Sequence, residues 1–319
     1  MSTHQLFESP NSRTIKINGW HITASTNPIS NAAQCDQFQA ALGIPLPEMT
    51  FGNNYLTLHH QPSNWKYSFS AYNALKAVKA GQLEEGDGSV KVGYAEKTTP
   101  ASNLPMPKTV AAKPYDWTFT TVYPGHQSPD APGSADDDDG SEDPESTESK
   151  APSDPKSYVE KEWKPADLDN PSNGIPLAEL SRPDPILFYA EIPLFEDELH
   201  DNGASSLLVR IRVMPTCFFI LSRFTLRVDN VLFRTYDTRI YHSFASPDPK
   251  ILVRERSAWE APYSVVKQFL PKRNDLTPLT DPTFIAKVLT ELPKHISQRE
   301  GAKTGWRALG TKTEITLLN

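Results

Sequence analysis

The stretch "SLLVRIRVMPTCFFILSRFTLRVDNVLFRTYDTRIYHSF", Ser206 to Phe244, constrains the fold more than any other part of the chain. Val209, Ile211 and Val213 alternate with Arg210 and Arg212, and Pro215 ends the run. Phe224, Leu226 and Val228 then alternate with Arg223, Thr225 and Arg227. A period of two places successive side chains on opposite faces of a strand, so these runs predict antiparallel strands with one apolar face. Asp229 and Asn230 tolerate the backbone of a type I′ turn, which predicts a two-residue hairpin loop. On that reading Val231, Phe233 and Thr235 continue the apolar face on the returning strand. The whole is a β-meander, and its face needs a cover.

Other segments supply candidates for that cover. "SNAAQCDQFQAALG" spaces Cys35, Phe38 and Leu42 helically, with Ser30 or Asn31 as cap and Gly43 as stop. "SAYNALKAVKAG" repeats the pattern with Leu75 and Val78 and ends at Gly81, while "NYLTLHH" and "KYSFS" before it predict short strands. "YDWTFTTVY" alternates as another strand. Near the C-terminus, Asp281 caps a helix with Pro282 in its first turn and Pro293 as the break. "SAWEAPYSVVKQFLP" is expected to form a further helix before it, shortened by Pro262.

Charge divides the chain unevenly. Residues 126–173 hold fourteen acids against four bases and almost no aliphatic side chains, too little apolar surface to offset ordering entropy, so they are expected to be a disordered acidic insert. The strands on both sides need partners, which predicts one domain over residues 1–319 with an internal insertion. Its class is α+β: a large, mainly antiparallel sheet flanked by a few helices. The remainder is too balanced for a nucleic-acid-binding face, and no run approaches the roughly 18 apolar residues of a spanning helix. Cys35 and Cys217 are the only cysteines and lie outside any C-x-x-C spacing, which fits a reducing compartment, the cytosol with nuclear access.

Several groupings suggest chemistry. "LFEDELHDNG" crowds Glu196, Asp197, Glu198, His200 and Asp201 into six positions, and on a helix this would be half of a carboxylate-histidine metal site. The second half is missing, as is H-E-x-x-H. The plainer expectation is a solvated acidic loop before a strand starting near Leu207. His59 and His60 point to opposite faces of a strand and His295 follows Glu291 in no ligand pattern. "GAKTG" lacks the phosphate-loop frame, and no nucleophile elbow occurs. Asp237 and Arg239 in "RTYDTRIYH" read as a recognition pair or as an ion pair on a sheet edge. Ser134, with Asp137 three residues on, suits an acid-directed kinase.

Taken together, "LPEMTFGNNYLTLHH", "KPYDWTFTTVYPG" and "PLFEDELHDNGASSLLVRIRVMPTCFFILSRFTLRVDNVLFRTYDTRIYH" resemble the TIP forty-one-like regulators of TOR signalling, called TIPRL in animals. The resemblance runs from Trp20 to about Pro293; the acidic insert and the tail over 296–319 depart from the animal pattern and look like variable additions. It implies a non-enzymatic α+β protein that uses no cofactor and binds catalytic subunits of type 2A and related serine/threonine phosphatases, holding them inactive. A TAP-type (alpha-four-like) phosphatase regulator is a second implied partner. Ile186 and Asp237 match family positions associated with phosphatase contact. Asn73 stands where animal members have Asp, and Thr235 where they have Met. Glu196, Asp197 and Arg239 are further possible contacts. Two rival readings are a metal-dependent hydrolase using Glu196 to Asp201 and a β-sheet ligand-binding module using Trp65, Tyr115 and Trp117.

Overall fold

The computed structural model describes residues 4–80, 92, 122–128, 160–170, 173–181, 183–245, 250–295 and 307–318. Its strands are β1 His4–Ser9, β2 Ser12–Ile17, β3 Trp20–Ser25, β4 Met49–Thr50, β5 Tyr55–His60, β6 Trp65–Ser70, β7 His126–Gln127 and β8 Lys164–Pro165. They continue as β9 Phe188–Asp197, β10 Gly203–Val213, β11 Cys217–Val228, β12 Leu232–Ser243, β13 Lys250–Pro262 and β14 Arg307–Leu318. The helices are α1 Ala32–Leu42, α2 Ala71–Ala80, α3 Leu177–Leu180, α4 Tyr263–Val266 and α5 Pro282–His295.

The α+β class holds, built on two antiparallel sheets. One runs β1-β2-β3-β5-β6-β7, the other β4-β9-β10-β11-β12-β13-β14-β8, and every pairing is antiparallel. They share one apolar core. Ile15, Ile22, Leu58 and Tyr67 of the smaller sheet cluster with Ile192, Val209, Ile211 and Ile220 of the larger. Trp20 joins the two directly, its ring 5.0 Å from that of Phe218 and 5.1 Å from that of His242.

Where the sequence carries its own stop signals, the helices follow them. Asn31 caps α1 through a reciprocal pair with Gln34, Gln34 N donating to Asn31 Oδ1 at 3.0 Å and Asn31 N to Gln34 Oε1 at 2.9 Å. Gly43 closes the helix with φ 67°, the left-handed conformation that glycine adopts without cost.

The meander forms as expected, with one consequential difference. Val228 pairs with Leu232, so the hairpin loop has three residues, Asp229, Asn230 and Val231, with Asn230 at φ 60°. A one-residue shift moves every later side chain to the other face. Leu232, Arg234 and Tyr236 therefore join Phe224, Leu226 and Val228 on the face toward the core. Phe233, Thr235 and Asp237 go to the outer face with Arg223, Thr225 and Arg227.

Several boundaries also move. Residues 257–262, expected as helix, are the end of β13, because Trp259 and Glu260 pair with β14 and Ser257 and Ala261 with β12; helix begins only after Pro262. Helix α5 runs through Pro293 to His295, since a proline in a last turn removes a single bond rather than several. The tail supplies β14, paired along β13, so residues 307–318 belong to the sheet. Both ends of 126–173 enter the sheets. His126 and Gln127 pair with β6, Lys164 and Pro165 with β14, and Trp163 stacks over Arg254. The strand expected at 115–123 lies outside the described residues apart from Val122 and Tyr123, which are not strand, and Ser134 lies outside them too.

A buried polar interlock ties the two sheets where the insert leaves and returns. Arg254 of β13 donates Nη2 to Glu314 Oε2 at 2.8 Å and Nη1 to the Tyr67 hydroxyl at 3.1 Å, and its guanidinium lies 3.9 Å from the Trp163 ring centroid. Burial pushes the Glu314 carboxyl up, yet the Lys312 ammonium and the Arg254 and Arg256 guanidiniums outweigh it and hold the group below its usual range.

Candidate partner-binding surface

The outer face of the larger sheet is covered at one end by α4 and α5, whose Val266, Ile285 and Leu289 pack on Phe233 and Ala261. At the other end Met214, Cys217 and Tyr241 form a small cluster with Leu180. Between them the pleat lines up polar rows. Glu191, Arg210, Leu221, Arg239 and Glu255 make one row; Pro193, Leu208, Arg223, Asp237 and Ser257 make the next; Glu196, Ser206, Thr225, Thr235 and Trp259 make the third. Four of the residues singled out from sequence, Glu196, Thr235, Asp237 and Arg239, thus lie on one face.

Their exposures differ. Asp237 is fully buried, accepting from Arg223 Nε at 2.7 Å, Arg223 Nη2 at 2.8 Å and Arg239 Nη2 at 2.9 Å. Arg239 also donates to Glu255 at 2.5 Å. The Asp-Arg ion pair is therefore real but sits on interior strand β12, not a sheet edge. The Arg223 and Arg239 side chains keep 14% and 20% of their surface, so they, and not the aspartate, face outward. A guanidinium fixed by a buried carboxylate presents its remaining donors in a set geometry suited to carboxylate or phosphate. Thr235 is buried beside them. A shallow depression lined by Ser206, Arg210, Arg223, Thr225 and Pro282 lies next to the start of α5.

Ile186, 53% exposed, lies two residues before β9. Asn73, half-buried in the first turn of α2, donates its side-chain amide to Ser70 Oγ at 2.9 Å.

The acidic stretch is not one loop. Phe195, Glu196 and Asp197 end β9, and β10 begins at Gly203, four residues before Leu207, because Gly203 pairs closely with Val228; a Cβ there would lie 1.9 Å from the Arg227 carbonyl oxygen. Glu196 points outward, whereas Asp197 turns in and accepts from Glu48 N at 3.0 Å and Leu199 N at 2.8 Å. That capping holds the turn, in which Leu199, His200 and Asp201 all take left-handed φ of 52°, 56° and 63°. Among the described residues no group of three or more His, Cys, Asp or Glu side chains could hold a metal ion. Trp65 is buried and donates to Gln127 Oε1, so it offers no ligand surface; Tyr115 and Trp117 lie outside the described residues. No described helix is long and apolar enough to cross a membrane.

Sequence reasoning missed the Arg254, Glu314, Tyr67 and Trp163 interlock and the contribution of Arg223. Nothing local signals either, since Arg223 meets Asp237 only once the hairpin register is set.

Comparison with known proteins gives the family. A family model described as the TIP41-like family matches residues 49–267. A TIP41-like protein of Arabidopsis thaliana is 36% identical over 289 residues, 90% of each chain. The Type 2A phosphatase activator TIP41 of Saccharomyces cerevisiae is 35% identical over 269 residues, 79% of this chain and 64% of its own. The human TIP41-like protein is 34% identical over 271 residues, 85% of this chain and 83% of its own. With most of its length shared at this level, the chain belongs to the TIP41-like family.

Proposed function

We propose that this chain is a non-enzymatic regulator that binds the catalytic subunit of a type 2A-family serine/threonine phosphatase. Membership of a family whose two yeast relatives are named type 2A phosphatase activators carries the reading. The finer proposal is that the bound subunit is held inactive, within TOR signalling, in the cytoplasm with access to the nucleus, and with an alpha-four-like regulator as a second partner. The yeast names state activation, so the sign of the effect is itself something to measure.

The outer face supports a division of labour. Exposed Ile186 offers apolar area, the Arg223 and Arg239 guanidiniums offer directed donors and Glu196 adds a weaker polar contact beside them, while buried Thr235 only backs the arginines and Asn73, on α2, is a separate contact. Asp237 acts through the arginines that it fixes, as a positioning residue. Ile186→Asp is the cleaner probe, because a half-exposed residue can be changed without opening the core. In a pull-down with purified catalytic subunit it is expected to weaken binding at least about tenfold, the scale of a hot-spot loss, with melting temperature unchanged. Wild-type protein that fails to bind the subunit refutes the function; a variant that binds as wild type refutes the surface. Phosphatase activity in the same mixtures gives the sign.

A further inference from the structure

Among the described residues, the four outermost strands of the two sheets are unequal. β7, β4 and β8 have two residues each, too short to template another strand, whereas β1 has six. The long flank of β9 that β4 leaves uncovered is blunted: Pro193 has no N–H, its carbonyl accepts from Asn54 Nδ2 at 2.9 Å, and the Tyr189 carbonyl accepts from Arg13 Nη1 at 3.1 Å. β1, "HQLFES", has no proline, lysine or bulge, pairs with β2 in unbroken register, and is exposed along its whole length. Its Leu6 and Phe7 are 47% and 48% exposed.

We propose that β1 is a self-association strand, through which two copies of this chain pair antiparallel and join their six-stranded sheets edge to edge. Two observations favour a second copy as the occupant. First, the core-facing row Tyr67, Leu58, Ile22, Ile15 crosses the sheet and ends on exposed Leu6, so a second Leu6 continues the row. Second, the strand is self-complementary in the one register that its backbone favours. Ser9 and Ser12 flank the two-residue turn and form a hydrogen-bonded pair, so Phe7 and Gln5 also bond to β2, while His4, Leu6 and Glu8 turn their N–H and C=O groups outward. A two-fold axis normal to the sheet through Leu6 sets Leu6 against Leu6 and His4 against Glu8 of the other copy, twice. Glu8, already paired with Arg13 Nε at 3.1 Å within its own hairpin, takes His4 as a second neighbour, Leu6 meets Leu6, and no like charges face each other. The opposite face receives Gln5 against Phe7.

The contact is strand-sized, below the roughly 1,200 Å² of a standard interface, which places it among weak associations. Sedimentation equilibrium of the full chain from about 1 to 300 μM should therefore show concentration-dependent dimer, in the micromolar to millimolar range of transient contacts. Leu6→Pro deletes the outward N–H without touching a bond to β2 and should shift the dissociation constant at least about tenfold, a loss of about 1.4 kcal/mol. Register is read by oxidation in a Cys35→Ser background. With diamide taking up the two protons and two electrons, Leu6→Cys should give a covalent dimer, since facing Cα atoms about 5.5 Å apart suit a disulfide. Phe7→Cys, set opposite Gln5, should not. A monomer at every concentration, a dimer untouched by Leu6→Pro, or cross-linking at Phe7→Cys instead of Leu6→Cys overturns the proposal. Should Leu6→Pro fail to fold, the cysteine pair still decides.

Discussion

Acidification from pH 7.5 to 5 is expected to destabilise this protein through two histidines buried between its sheets. His60 is 5% exposed and His242 1% exposed; both pack on Trp20 at ring distances of 4.8 and 5.1 Å. His242 Nδ1 lies 2.9 Å from the Ile251 carbonyl, which accepts the proton of a neutral ring, and His60 Nδ1 lies 2.8 Å from Ser63 Oγ. Loss of water, helped by His59 and Lys250 beside His60 and by His60 and Lys250 beside His242, and opposed at His242 by the Ile251 hydrogen bond, brings the pKa of each from 6.5 down to about 4. A folded-state pKa below the unfolded one means that the unfolded chain binds more protons between pH 6.5 and 4. Stability is thus complete above pH 6.5 and falls as pH drops through that window.

At pH 5 each histidine is still mostly neutral when folded and mostly charged when unfolded, a difference worth about 2 kcal/mol per site by linkage. Two sites lower stability by about 4 kcal/mol against the 5–15 kcal/mol typical of whole proteins. With a urea dependence of about 3 kcal/mol per molar or more for a chain of this size, the midpoint should fall by about 1 M. His126, also lowered by burial, adds in the same direction; the depressed Glu314 carboxyl acts only below this range. Urea unfolding followed by tryptophan fluorescence at several pH values measures the slope. His60→Gln with His242→Gln, which cannot charge, should flatten most of it. An equal slope in the double variant, or a His242 ring signal titrating near 6.5 in the folded protein, refutes the reasoning.

Two other expectations follow from the interlock. Arg254→Ala leaves buried Glu314 with only Arg256 and Lys312 and should cost up to about 3 kcal/mol in denaturant unfolding, the low end for a broken buried pair, whereas Arg254→Met paired with Glu314→Gln should cost less, because breaking a buried pair is worse than removing both charges. Replacing 130–158 by a short Gly-Ser linker should preserve the fold and raise stability by about 1 kcal/mol from the shorter loop, because Gln127 and Lys161 already bond each other at 2.7 and 2.9 Å across the insert's neck; removing all of 126–173 deletes Trp163 from Arg254 and should lower the melting temperature.

What the sequence made legible is what local rules decide. Asn31 with Gln34, and Gly43 after Leu42, declare both ends of α1 within a few residues, and the alternation around Val209 and Phe224 declares strands. The extra loop residue at Val231 is the kind of thing that such rules decide poorly. Asp229 and Asn230 suit a two-residue or a three-residue turn, and the choice depends on what each face of the returning strand meets. Choosing three residues buries Phe233 under α5 and Asp237 between two arginines; the alternative would have set Leu232 and Tyr236 outward instead. The same non-local logic hid the end of β13, where Trp259 and Glu260 become strand because β14, about fifty residues later, lies beside them. Function followed a parallel division. The family was readable from contiguous motifs, but the character of the candidate surface was not, because an aspartate that sequence offers as a contact turns out to be the buried clamp beneath Arg223 and Arg239. Clamping two cations with one carboxylate, while Glu255 takes up the far side of Arg239, leaves that strip close to electrically neutral. A partner that meets it gains most from directed hydrogen bonds rather than from net charge, so its association should depend on salt only weakly.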